Sequence, residues 1–192
     1  NSSIMRGEFL EEWKLGKVVP IFKGKGSNRD PASYRPVTLT SVIGRMVEQA
    51  VRNQIIGVLN SRIFTVNQYG FQLGSGTAKC LNDCIDEIRR QLAEGNKTAI
   101  VALDGSCAFD LVPRDLLKQL IAAAVAGALM MGWIEDYFMK RKQYVDIGAR
   151  SEVWSVEVGT IQGGPISPDF CTTLYRQHRR CGISLLLLSN LQ

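Results

Sequence analysis

An uninterrupted apolar run that ends on an acid, TAIVALD at residues 98–104, constrains this chain most. It has no alternation, so it reads as a strand covered on both faces, and helices must flank it. The expected class is therefore α+β. An aspartate at the end of a buried strand is costly unless it is paired, hydrogen-bonded or bound to metal. Asp104 is thus a candidate ligand for Mg²⁺, which favours hard oxygen donors beside phosphates. On this fragment alone the commoner reading is a turn or capping residue, since Asp104–Gly105 is a good turn dipeptide. Asp110, six residues on, is either a second ligand or the cap of the next helix.

The remaining elements follow from spacing. Residues 6–13 read as a short helix. LGKVVPIF (15–22) and YRPVTL (34–39) are extended, because β-branched residues and proline disfavour helix. Between them KGKGSNRDP forms a basic, glycine-rich loop. Ser41 caps a long helix with Val42, Met46, Val47, Ala50, Val51, Ile55 and Leu59 on its apolar rows. A second amphipathic helix carries Leu81, Ile85, Ile88 and Leu92. Further helices start near Arg114 and run through 133–139. Residues 144–147 and 153–158 read as strands, followed by the loop GTIQGGPISP.

Charge is concentrated. The chain has 192 residues and a net charge of +5, yet the segment 13–45 alone carries Lys14, Lys17, Lys23, Lys25, Arg29, Arg35 and Arg45 against Asp30. Such a segment is either a polyanion-binding surface or an ordinary solvated basic face. With 45% hydrophobic and 21% charged residues, the composition excludes intrinsic disorder. No apolar run approaches the roughly 20 residues of a spanning helix. No membrane is expected among the partners. The five cysteines are odd in number and irregularly spaced, and no basic-then-apolar leader opens the chain, so an intracellular, reduced protein is expected. Cys80 and Cys84 share a helix face as small core residues.

Lys23 closes one extended segment and Arg35 opens the next. Two such cations on paired strands can clamp a triphosphate, lysine as a point charge and arginine as a fork. In Gln162–Gly163–Gly164 an amide that both donates and accepts sits beside glycines that admit close approach to the backbone. GSGTAK (74–79) lacks the spacing of a P-loop, and the single histidine, His178, makes a Ser-His-Asp triad or a zinc site improbable.

In order, WKLGKVVPIFKGKG, DPASYRPVTLTSVIGRMVEQAV, NQYGFQLGSGT, AIVALDGSCAFDLVPRDLL, WIEDYFMKRKQYVDI and GTIQGGPISP resemble the reverse transcriptase domain of non-LTR (LINE-type) retrotransposons, over residues 8–175. The resemblance implies a right-hand polymerase fold, fingers plus partial palm and incomplete at the C-terminus. The fingers-like segment is 1–96, the palm-like segment 97–175, and 176–192 is an anomalous tail. It implies templated deoxynucleotide addition to a primer end with two Mg²⁺ ions. The partners would be an RNA template, a DNA primer and deoxynucleoside triphosphates. Oligomeric state is not implied. Asp104 matches the metal-binding aspartate and Phe109 the aromatic residue under the incoming sugar. Lys23 and Arg35 match the triphosphate contacts, and Gln162 and Gly163 the loop beside the nascent base pair. Asp110 matches the second aspartate of AFD, a structural position.

The departures are specific. Gln72 stands where the family pattern has arginine, and Cys107 where lysine is common. The family's Tyr/Phe-x-Asp-Asp hairpin is missing, since no acidic residue follows Asp169. Two-metal chemistry needs carboxylates that hold ions about 3.5–4 Å apart. A truncated or degenerate, inactive copy is therefore expected. The alternative is a non-catalytic nucleic-acid-binding remnant.

Overall fold

Two prolines in neighbouring extended segments are a problem for any sheet, and the register solves it. In the computed structural model, which describes residues 2–62, 68–72, 74–102, 108–124 and 127–177, β1 (Leu15–Phe22) and β2 (Tyr34–Leu39) pair antiparallel with Pro20 opposite Pro36. The ladder runs one bond further, Lys23 N to Ser33 O at 2.8 Å. By alternation the odd residues of β1 therefore make the bonds to β2, and the proline pair needs none. On its other side β1 pairs parallel with β3 (Lys142–Val145) only from Leu15 to Val18, so Pro20 has no ladder bond to lose there. β4 (Trp154–Ser155) pairs antiparallel with β3, giving the order β2-β1-β3-β4.

Six helices accompany this sheet among the described residues: α1 (Ser2–Arg6), α2 (Val42–Arg62), α3 (Thr77–Ala93), α4 (Arg114–Ala124), α5 (Ala128–Phe138) and α6 (Ser167–Gln177). Ser41 opens α2 as expected, its Oγ accepting from Gly44 N at 3.4 Å. The core is one cluster built from Val51, Ile55 and Leu59 of α2, Leu117 and Ile121 of α4, Trp133 and Tyr137 of α5, and Phe170 and Leu174 of α6. Phe9 seals it, with edge-on contacts of 5.4 Å to Trp133 and 5.2 Å to Tyr137. Two ion pairs pin distant segments. Arg52 of α2 bonds Asp169 of α6 at 2.5 and 3.2 Å, and Lys14 bonds Asp136 of α5 at 2.8 Å.

Several expectations need correction. Residues 98–102 form no strand, and Ile100 and Val101 are 57% and 38% exposed. An apolar run becomes a buried strand only beside partner strands and under helices. The sheet offers neither at this point, since its four strands lie elsewhere in the chain. Asp104, with residues 103–107, lies outside the described residues. The helix read over 6–13 splits into α1 and a 3-10 turn at Glu11–Trp13, because Gly7 turns the chain at φ +67°. The strand read at 153–158 shrinks to β4. The apolar row of α3 is not buried: Leu81 and Leu92 are 59% and 60% exposed. Cys80, Cys84 and Cys171 are free thiols. Among the described residues no helix is long and apolar enough to cross a membrane.

Candidate functional site

The basic loop is built by its own polar atoms. Asp30, its single acid, accepts from Ala32 N at 2.9 Å through Oδ1, and Tyr34 Oη donates to Asn28 O at 2.8 Å. Gly26 has φ +86°, and a Cβ there would collide with Ser33 Oγ, so only glycine closes the turn. Lys23 Nζ donates to Ala32 O at 2.8 Å, which holds the ammonium at the end of the ladder. Because Asp30 is used in capping, Lys25, Arg29 and Arg35 are exposed and have no ion-pair partner among the described residues. Ile21 faces Arg35 across the ladder and Lys23 follows two residues on, so Lys23 and Arg35 share one sheet face.

The Gln162 loop seats on the edge of that hairpin. Thr38 sits at a pair that makes no bond to β1, so its N–H points outward, and Gln162 O takes it at 2.8 Å. Gly163 follows at φ +116°, where a Cβ would lie 2.9 Å from Thr38 O and 3.4 Å from Val37 Cγ1. The next residue turns back, Gly164 N to Ile161 O at 3.0 Å. Gly163→Ala combines a left-handed backbone with a steric clash and is expected to cost about 2 kcal/mol. Thermal unfolding checks this against Gly74→Ala, a positive-φ glycine at +73° with nothing within 4 Å of the added carbon, which is expected to cost less.

The approach to this loop is held by α4. Arg114 donates to the carbonyls of Gly159 (2.9 Å), Phe138 (3.0 Å), Val156 (2.7 Å) and Val158 (3.2 Å), and its guanidinium lies 5.3 Å from the Phe138 ring centre. Burial among neutral carbonyls pulls its pKa down to about 10. Thr160 N bonds Phe109 O at 2.7 Å, which brings AFD against the loop, and the Phe109 side chain packs on the core.

Gln162, Asp110, Thr38, Pro36, Gln143 and Trp154 line a cleft of about 350 Å³ between the sheet and the 154–162 segment. Asp110 is exposed overall, yet the cleft wall desolvates its carboxyl and raises its pKa; it has no side-chain bond among the described residues. Pro36 and Thr38 face this cleft, whereas Arg35 and Lys23 belong to the opposite sheet face. The loop therefore meets the hairpin of the two cations at the edge of β2, and Gly163 reaches across that strand. Arg35 lies three residues from Thr38, roughly 10 Å along the strand, and the Lys23 position roughly 17 Å. Sequence reading missed Arg114, whose carbonyl partners lie 24 to 45 residues on, Glu48, bonded by the Tyr137 hydroxyl, and Arg141, held by the Tyr137 carbonyl and the rings of Tyr137 and Phe9.

The model of the reverse transcriptase (RNA-dependent DNA polymerase) family matches residues 23–178. The chain belongs to that family. Every candidate residue named above, from Lys23 to Gly163, lies inside the match. Among curated relatives, a probable RNA-directed DNA polymerase from transposon X-element of Drosophila melanogaster is 28% identical over 170 residues, 88% of this chain and 19% of that protein. The RNA-directed DNA polymerase from mobile element jockey of Drosophila funebris is 29% identical over 179 residues, 91% and 19%. A putative 115 kDa protein in the type-1 retrotransposable element R1DM is 28% identical over 165 residues, 84% and 15%. The chain spans less than a fifth of the length of these relatives.

Proposed function

We propose that this reverse transcriptase family member is the fingers and front palm of a right-hand polymerase, and that it binds primer–template and nucleotide without extending the primer by itself. The supporting observation is the seat of the Gln162 loop on β2, through Thr38, three residues from Arg35. In this reading Arg35 and Lys23 take the triphosphate, Phe109 lies under the sugar, and Gln162 and Gly163 border the nascent base pair. Residues 1–96 serve as fingers and 97–175 as front palm, with 176–192 an added tail. The two segments share one sheet, since β3 pairs with β1. The reading places the protein inside the cell.

Magnesium would be the family's cofactor, but the described residues do not fit it. No group of three or more His, Cys, Asp or Glu among them could hold an ion, and the cleft wall carries only the two carboxylates Asp110 and Glu157. Asp104 as metal ligand and catalytic residue therefore rests on the family motif, and no step is derived through the ion.

Primer extension with Mg²⁺ on an RNA template, together with binding to the same primer–template, tests this reading. Binding without extension is expected, with affinity falling steeply as salt rises, because phosphate contacts release counterions. Arg35→Ala is expected to weaken triphosphate binding about tenfold. Template-dependent synthesis would overturn the inactive assignment. Equal affinity for the Arg35→Ala variant would remove the triphosphate clamp. Binding that rises with salt would refute both this reading and the alternative of a nucleic-acid-binding remnant.

A further inference from the structure

Two opposite charges lie fully inside the molecule beneath the Gln162 loop, and the activity proposed above uses neither. Glu48 of α2 is 0% exposed and Arg141, just before β3, is 2% exposed. Tyr137 Oη donates to Glu48 Oε2 at 3.2 Å. Arg141 Nε donates to Tyr137 O at 2.6 Å, and its guanidinium lies 4.0 Å from the Tyr137 ring centre and 5.1 Å from that of Phe9. Glu48 Oε1 and both terminal nitrogens of Arg141 have no hydrogen-bond partner among the described residues. Arg141 is the stronger of two positive charges that favour the Glu48 carboxylate, and Arg45 on Glu48's own helix is the other. Burial raises the Glu48 carboxyl above the ordinary range, and Arg141 and the Tyr137 bond oppose that shift.

Gly164 lies over Glu48 and the Tyr137 hydroxyl that bonds it. A Cβ there would stand 3.0 Å from Glu48 Oε2 and from Ser167 Oγ, and 3.4 Å from Tyr137 Oη. The carboxylate thus occupies the space under the loop that a side chain at residue 164, two residues after Gln162, would need. We propose that Glu48 is a positioning residue for the Gln162 loop: held opposite Arg141, its carboxylate supports Gly164 and sets where Gln162 and Gly163 meet β2. That this position matters for a nascent base pair rests on the polymerase reading; the positioning itself does not.

Amide hydrogen exchange separates the two. Thr38 N–H reports the bond to Gln162 O, Gly164 N–H reports the turn, and Leu117 N–H, bonded to Pro113 O in α4, reports the core. In Glu48→Gln, exchange at Thr38 and Gly164 is expected to rise about tenfold while Leu117 is unchanged, because Arg141 is left uncompensated. Glu48→Gln with Arg141→Met is expected to restore much of the protection, since no buried charge remains unmatched. In the unsubstituted chain, protection of Thr38, corrected for intrinsic rates, is expected to fall as pH drops through the raised Glu48 titration. That step is expected to vanish in Glu48→Gln. The groups that face the titrating carboxyl are the guanidinium groups of Arg141 and Arg45, the Tyr137 phenol and the Ser167 hydroxyl, and none of them is a second carboxyl. A rise at Thr38 no larger than at Leu117, or no pH step, would sink the positioning role. The wild-type titration decides the matter even where the variants do not fold. Faster exchange with unchanged primer–template affinity would refute the polymerase reading and leave the positioning role standing.

Discussion

Trp133→Ala is expected to remove about 4 kcal/mol of stability, the largest loss from any single core truncation in this chain. Trp133 is fully buried at the centre of the helical cluster. Its ring stacks on Tyr137 at 5.4 Å, meets Phe9 edge-on at 5.4 Å, and its Nε1 donates to Ser3 Oγ at 3.3 Å. Alanine would leave a cavity beside Tyr137, which is itself wedged against Phe138 and Phe170 and cannot collapse into it. Against a typical total of about 5–15 kcal/mol, that loss is enough to leave a marginal domain partly unfolded at 25 °C. Urea unfolding checks it, with Met139→Ala as control. Met139 is 55% exposed, and its removal is expected to change stability by no more than about 0.5 kcal/mol. A Trp133→Ala cost below about 1 kcal/mol would mean that α5 does not pack as described.

The second large effect is asymmetric. Arg52→Met is expected to cost about 3 kcal/mol, because it strands the Asp169 carboxylate without its cation. Asp169 is 1% exposed and Arg52 is 26% exposed. Asp169→Asn is expected to cost clearly less, since the released arginine can swing its guanidinium into water while asparagine keeps the shape. Thermal unfolding of the two variants gives the comparison. Equal losses would show that the carboxylate, too, can reach solvent. This pair matters for the site because α6 begins where the Gln162 loop ends, so it anchors the far end of GTIQGGPISP to α2.

The strands of the hairpin were legible because their signals are local. The β-branched residues of LGKVVPIF and YRPVTL, and the turn formers between them, contain nearly all the information needed, and β1 and β2 have the expected bounds. Ser41 marked the start of α2 for the same reason. Over 98–102 the expected strand did not form because burial is a property of neighbours. Apolar residues say what the segment would prefer, and only partner strands can supply it. The site divides likewise. Lys23, Arg35, Gln162 and Gly163 lie on turns and strand ends that sequence can place. That Gln162 O takes the outward N–H of Thr38 depends on ladder alternation, and no residue-type rule exposes it. Glu48 and Arg141 were invisible, since a glutamate in an amphipathic helix and an arginine in a basic stretch both read as solvated charges.

The parallel pairing of β1 with β3 also has a consequence in time. Leu15–Val18 finds its partner Lys142–Val145 only after roughly 125 more residues have been made, about 6–25 s of synthesis at usual rates. Until then β1 is an edge strand on that side, flanked by Leu15, Val18 and Ile21, and open to any other extended segment. The nascent chain therefore passes through an interval in which its first hairpin is formed but unguarded. Release or stalling of synthesis before residue 142 is expected to yield aggregates rather than a smaller folded domain.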